Sequence, residues 1–272
     1  MGQKTRRGKA RKIATHALIS IVAVAFLAGA FFGISAFKLL SERGPTTSGE
    51  SGQLWATGTQ IASTKIAAVT SDGSTGIICD LMVEISPGNG RILVDTYPLI
   101  GFDFQSAERT AVEVASTVTG FELDSDGGLK GADVLLEVSA PTEGSVEVQS
   151  IDGPSAGAAT TVAIIAAIEN RTVRKDVIMT GTIEKNGSIG QVGGVLAKAE
   201  AANDFGARLF LVPSGQSVVT IYREVVREVG PFRQVIYEPI RVDLNEYAEN
   251  AGWSIKIQEV STIQEALNLM LE

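Results

Sequence analysis

Histidine occurs once in this 272-residue chain, as His16, and cysteine once, as Cys79. A Ser-His-Asp triad or a Cys-His dyad needs an imidazole beside its nucleophile. His16 lies at the edge of an N-terminal apolar segment, so both arrangements, and most histidine metal sites, are excluded from the rest of the chain. The single cysteine rules out an internal disulfide and reads as a core residue without chemistry. No Gly-x-x-x-x-Gly-Lys-[Ser/Thr] loop is present to cradle nucleotide phosphates. No cofactor or metal ligand set is legible.

Acidic residues are missing from the first 37 positions, and from Ala17 to Phe37 there is no charge at all. Residues 1–12 instead carry Lys4, Arg6, Arg7, Lys9, Arg11 and Lys12. The 21 residues from Ala17 to Phe37 would span roughly 31 Å as a helix, the thickness of a bilayer core. A signal peptide has a shorter apolar core of about 7–15 residues, so the expectation is an uncleaved anchor over 13–37. Small residues near Ala28–Ala30 leave a cleaved signal as the alternative. Under the positive-inside rule the basic tail stays in the cytoplasm and everything after Lys38 lies outside the cell membrane. Residues 38–52, rich in Ser, Gly and Thr, read as a flexible linker.

Of the 23 basic residues six are in that tail, which leaves 17 Lys and Arg against 31 Asp and Glu, a net of −14. So acidic a domain does not suit nucleic acid, whose binding rests on cationic contacts to phosphate. From residue 53 to 272 the pattern mixes strands and helices and predicts an α+β domain. Strands are expected at Gln60–Thr70, Gly76–Ser86, Gly90–Thr96, Ala132–Ser139, Val177–Ile183, Arg208–Val212 and Gly252–Glu259. Helical spacing predicts helices at Ser106–Thr119, Val195–Phe205, Val218–Val229 and Thr262–Leu271. Ser155–Asn170 is small and apolar around most of its circumference, the signature of a buried helix.

The chemistry concentrates at Asp152-Gly153-Pro154-Ser155-Ala156-Gly157. Glycine lets the chain bend sharply and proline suits a first helical turn, which sets Ser155 among unpaired N–H groups at the positive end of a helix. The N–H groups of Ser155 and of Gly153 or its neighbour are candidates to hold an oxyanion. Ser155 could equally be a plain helix cap. A nucleophilic serine needs a base, and without histidine a desolvated lysine is the substitute. Lys198, 43 residues on, sits among Val195, Leu196, Ala197, Ala199, Ala201 and Ala202. Burial there would lower its pKa and make it a base; the other reading is a lysine snorkelling to the surface.

These segments resemble the proteolytic domain of the Lon protease family, most closely over about residues 150–213. Asp-Gly-Pro-Ser-Ala-Gly resembles the nucleophile motif, with Ser155 on its serine. Met179-Thr180-Gly181 followed by Gly193-Gly194-Val195-Leu196-Ala197-Lys198 resembles the second signature, with Lys198 on its catalytic lysine. The resemblance implies the family's α+β fold over 53–272, a Ser155–Lys198 dyad, and Thr180 as the residue that positions the lysine. It implies that Asp152 tunes the loop; otherwise Asp152 is a turn residue bonding its own backbone. Family members commonly form six-membered rings. The lack of a nucleotide loop departs from typical members, and the chain looks most like ATPase-free, archaeal Lon-like proteins.

The expected function is therefore an ATP-independent serine endopeptidase, anchored in the lipid bilayer and cutting unfolded or flexible polypeptides. Two alternatives keep the fold: a catalytically silent, anchored peptide-binding module, and a protease subunit working with a separate ATPase.

Overall fold

The computed structural model describes residues 58–71, 73–95, 97–141, 150–229 and 232–272. The basic tail, the expected membrane helix at 13–37 and the linker at 38–52 lie outside them. No helix among the described residues is long and apolar enough to cross a membrane.

In chain order the first strands are β1 (Gln60–Val69), β2 (Gly76–Pro87), β3 (Ile92–Val94) and β4 (Leu99–Ile100), followed by helix α1 (Phe102–Thr119). Then come β5 (Ala132–Ser139), β6 (Ser150–Ile151), a 3-10 turn at Pro154–Ala156 and helix α2 (Gly157–Glu169). The strands β7 (Val177–Met179), β8 (Thr182–Ile183) and β9 (Ile189–Gly190) lead to α3 (Val195–Phe205) and β10 (Leu209–Pro213). The chain closes with β11 (Val218–Val229), β12 (Phe232–Asp243), α4 (Leu244–Ala251), β13 (Lys256–Val260) and α5 (Ile263–Met270).

Seven strands form one mixed sheet in the order β13-β10-β7-β1-β2-β5-β3. The two sides of this sheet bury different sets of side chains. On one, Ala62 and Ile66 of β1 and Leu81, Val83 and Ile85 of β2 join Ala111 and Val112 of α1, Val162 and Ile165 of α2 and Leu267 of α5. On the other, Ala67, Ile178 and Phe210 pack with Val195 and Ala199 of α3 and Leu244 of α4. Period-2 alternation in β1 and β2 is what sends apolar side chains to both layers.

Helix α2 is buried from Gly157 to Ile168, as its all-round apolar surface predicts. The strand expected at Val177–Ile183 is interrupted: β7 ends at Met179, Thr180 keeps one backbone bond to β10 through its N–H to the Leu211 carbonyl at 3.0 Å, Gly181 turns to bond the Ser155 carbonyl, and β8 pairs with β9 instead. That interruption frees Thr180 for the site described below.

Val218–Val229, expected as a helix, is a strand. It pairs antiparallel with β12 from Val218 opposite Asp243 to Val229 opposite Phe232. Seven of its 12 residues are β-branched, which favours extended backbone. Val218, Ile221, Val225 and Val229 also fall at helical spacing, which is why periodicity alone misled. Helix α4 was unassigned from sequence; Asp243 caps it, its Oδ1 accepting from the N–H groups of Asn245 at 2.9 Å and Glu246 at 3.1 Å.

Candidate active site

Three expected side chains meet where the 3-10 turn enters α2. Lys198 Nζ lies 2.8 Å from Ser155 Oγ and 3.1 Å from Thr180 Oγ1. Three separate elements supply them: the turn ahead of α2, the break after β7, and the second turn of α3. Each is fixed by backbone bonds. The Ser155 carbonyl accepts from Gly181 N–H at 2.9 Å and from Thr180 Oγ1 at 3.2 Å, and Ala158 N–H donates to the Gly181 carbonyl at 3.1 Å. The segment carrying Thr180 is thus zipped to the segment carrying Ser155.

Lys198 is 2 % exposed and Thr180 is fully buried. Burial pushes the Lys198 ammonium down from its ordinary 10.5 to about 8. The bond directions matter as much as the burial. Thr180 has one hydroxyl proton, and the Ser155 carbonyl takes it. Its oxygen lone pairs therefore face Lys198 and accept a hydrogen bond from an N–H of the amine. A neutral amine held in this way turns its own lone pair toward the Ser155 hydroxyl, ready to accept the serine proton.

Gly153 and Asp152 lie at the same cavity but act on the backbone. Gly153 has φ 96° and ψ 148°, a conformation open to glycine and strained for any other residue. Its N–H donates to Asp152 Oδ1 at 2.8 Å, so this expected oxyanion donor is already engaged, and Pro154 has no N–H to offer. The same oxygen of Asp152 accepts from Asp103 N–H at 3.0 Å and Phe104 N–H at 3.2 Å. Asp152 therefore caps α1 across 49 residues of sequence as well as bonding its own turn. The three backbone donors, Gly153 first, hold its carboxyl below the usual carboxylate range.

A cavity of about 350 Å³ opens beside Ser155 and Lys198. Its walls include the apolar side chains of Phe104, Ile77 and Ile151 and the thiol of Cys79. Burial, with help from Asp80, pushes that thiol up to about 11, so Cys79 is a protonated wall residue. Six consecutive residues, Ile66 to Ser71, also border the cavity. Side chains of a strand alternate between faces, so a run of neighbours means that the cavity meets the edge of β1. β1 pairs with β7 only at Ile66 opposite Met179, and past that point no described strand covers this edge. Open backbone groups beside a serine-lysine pair suit an extended peptide.

Sequence reasoning missed this edge, because nothing in Ala67–Ser71 shows which side β7 leaves bare. It also missed Glu108, buried completely between α1 and α2. Among the described residues no group of three or more His, Cys, Asp or Glu could hold a metal ion.

The profile of the Lon protease (S16) C-terminal proteolytic domain matches residues 57–230. A Lon protease of Fervidobacterium nodosum is 31% identical over 182 residues, which is 66% of this chain and 21% of that protein. Lon protease 2 of Bacillus subtilis is 27% identical over 54% of this chain and 28% of its own length. The archaeal Lon protease of Halobacterium salinarum is 30% identical over 52% of this chain and 19% of its own. The matched region spans between about a fifth and just over a quarter of these relatives' lengths. With the fold, the paired motifs and the matched profile in agreement, this chain belongs to the Lon protease (S16) proteolytic-domain family.

Proposed function

We propose that this protein is a serine endopeptidase that works by a Ser155–Lys198 dyad, needs no ATP, and is held to the membrane by residues 13–37. The observation that carries the reading is the 2.8 Å contact between the buried Lys198 amine and the Ser155 hydroxyl at the mouth of a cavity. Neutral Lys198 takes the hydroxyl proton as Ser155 Oγ attacks the scissile carbonyl carbon. The negative oxygen of the tetrahedral intermediate is held by N–H groups at the start of α2, with Ser155 N–H the nearest in sequence, since Gly153 N–H is engaged. Lys198 then hands its proton to the leaving amine as the C–N bond breaks. Water, deprotonated by the same amine, hydrolyses the acyl-enzyme. Thr180 orients the amine throughout.

The charge-free stretch after a basic tail supports the anchor and its cytoplasmic N-terminus. The Ser155–Lys198 contact involves no nucleotide-binding group, which supports peptide hydrolysis at this site without ATP. The test uses the full-length chain in detergent with an unfolded protein and no nucleotide, beside Ser155→Ala and Lys198→Ala. Cleavage by wild type and none by either variant is the expected result; a fully active Lys198→Ala sinks the dyad. If wild type does not cut, the silent binding module replaces it. The topology is tested by a cysteine placed at Ser48, with Cys79 replaced, and an impermeant thiol reagent applied to whole cells.

A further inference from the structure

The hairpin of β11 and β12 stands apart from the seven-stranded sheet, and among the described residues each of its strands pairs only with the other. Isolated two-stranded hairpins are marginal in water, and their outer edges carry unpaired N–H and C=O groups. At its base lies a groove of about 550 Å³. Val218, Val219, Thr220 and Ile221 border it in unbroken succession. By the alternation of side chains, four neighbours in a row mean that the groove meets the outer edge of β11 and not one face.

The opposite wall of this groove belongs to the elements that build the candidate active site. Gly73 and Ser74 of the β1–β2 turn line it, while Thr70 and Ser71 of the same turn line the cavity at Ser155. Val195 to Ala197 of α3 line it, and the next residue, Lys198, lines the cavity. The two hollows therefore flank one seam, where the start of β2 lies against α3. That seam is tight: a Cβ on Gly76 would come within 2.0 Å of the Ala197 carbonyl oxygen, so only glycine lets the backbones approach. Each hollow presents an open strand edge, β1 on one side and β11 on the other.

We propose that the groove at the hairpin base is a second binding site for the polypeptide substrate, which adds as an extended strand to the outer edge of β11 while another part of it occupies the cavity at Ser155. This rests on the protease reading above. The occupant follows from what the walls offer: unpaired backbone on a strand edge recognises extended polypeptide of any sequence. Among the described residues of the lining Glu200 is the one that carries charge, so segments with apolar or basic side chains are favoured over acidic ones. Only substrates long enough to cross the seam gain from the groove; a short peptide fills the cavity alone.

The register supplies clean variants. Val218 is opposite Asp243, so residues 219–242 can be replaced by Asn-Gly, a two-residue hairpin turn, without moving the hairpin's ends. Leu244 N–H still reaches the Ser217 carbonyl and the cap of α4 is kept. A control replaces only 222–239, joining Ile221 to its cross-strand partner Ile240 and keeping the edge at the groove. Binding of a fluorescein-labelled, unstructured polypeptide of Val, Ser and Lys is measured by anisotropy on full-length Ser155→Ala. Cleavage of a fluorogenic hexapeptide is measured with Ser155 intact.

The full excision is expected to weaken binding of the long polypeptide at least about tenfold, the loss of a few net backbone hydrogen bonds. The shorter excision keeps that binding, and hexapeptide cleavage is unchanged in both. Equal binding by wild type and full excision overturns the proposal, as does loss of binding in the shorter excision, which would move the contact to the hairpin tip. Hexapeptide cleavage lost together with the hairpin also overturns it. A wild type that fails to cut the hexapeptide defeats the protease reading instead, and the binding measurement still decides the groove. If the full excision does not fold, Thr220→Trp at the exposed edge serves; an unchanged affinity there counts against the groove.

Discussion

The seam that joins α3 to the turn before α2 and the seam between α1 and α2 each bury one ionisable side chain, and burial drives both toward about pH 8 from opposite sides. Lys198 comes down from 10.5 and Glu108 comes up from 4.5. In both, desolvation is the leading cause. Their surroundings differ in what else is present. Lys198 touches a hydroxyl that borders a cavity and a second hydroxyl that orients it. Glu108 accepts one bond from Thr160 at 3.1 Å, and its Oε2 has no partner among the described residues. A displaced pKa is thus a product of burial alone, and chemistry needs a partner and an opening as well.

Removing either member of the proposed dyad should break the comparison most sharply. Ser155→Ala and Lys198→Ala are each expected to lower cleavage at least about 10³-fold, as loss of a member of such a unit does elsewhere. Lys198→Arg should be as inactive, because a guanidinium does not give up its proton. The same substitutions sharpen the stability side. Between about pH 8 and 10.5 the unfolded chain holds the Lys198 proton and the native chain has lost it, so its contribution to stability rises with pH across that window. Lys198→Met should therefore be more stable than wild type at pH 7, by up to about 3 kcal/mol, and lose this advantage by pH 11.

Next in size is Thr180. Thr180→Val keeps the shape but removes the acceptor that aims the amine, and kcat should fall about 10- to 100-fold. Thr180→Ser should restore most of it; equal loss in both would mean packing and not orientation is at stake. The pH profile of kcat/KM should then fall about tenfold per unit below pH 8, where Lys198 is protonated. A flat profile from 6 to 9 would point to a different base.

The smallest expected effect on activity belongs to Glu108. Glu108→Gln should cut within a factor of about two of wild type at pH 7, because the side chain meets no reacting atom. Its stability should differ clearly. The raised native pKa means the unfolded chain loses the proton first, so wild-type stability falls as pH climbs from about 4.5 to 8. The variant escapes that slope and should gain about 10 °C or more in Tm relative to wild type by pH 8.5. Thermal melts from pH 5 to 9 check both signs; a constant gap between the curves would refute an ionising Glu108.

Legibility in the sequence followed the same division between composition and neighbourhood. The buried helix α2 was readable because Ala, Ile, Val and Thr leave it no polar face, a property of the segment itself. Ser155 and Lys198 were readable through two motifs in the right order. Hairpin strand β11 was misread because Val218–Val229 satisfies a helical period and a strand composition together, and pairing with Phe232–Asp243 decided between them. Asp152 was read as a loop residue, yet the α1 residues it caps lie 48 and 49 positions away.

By itself the sequence picked out the candidate groups: one serine on a glycine-proline turn, one lysine among alanines, and no histidine after His16. It also determined the buried and exposed segments, since transfer of apolar side chains from water depends mainly on what they are. Only the tertiary structure decided that Thr180 at the end of β7 meets the Lys198 amine, that Glu108 is left without a full set of partners among the described residues, and that β1 and β11 each keep an open edge. Those outcomes depend on which distant backbone pairs with which. Hydrogen bonding is directional and pairwise, and no single segment contains both halves of the pair.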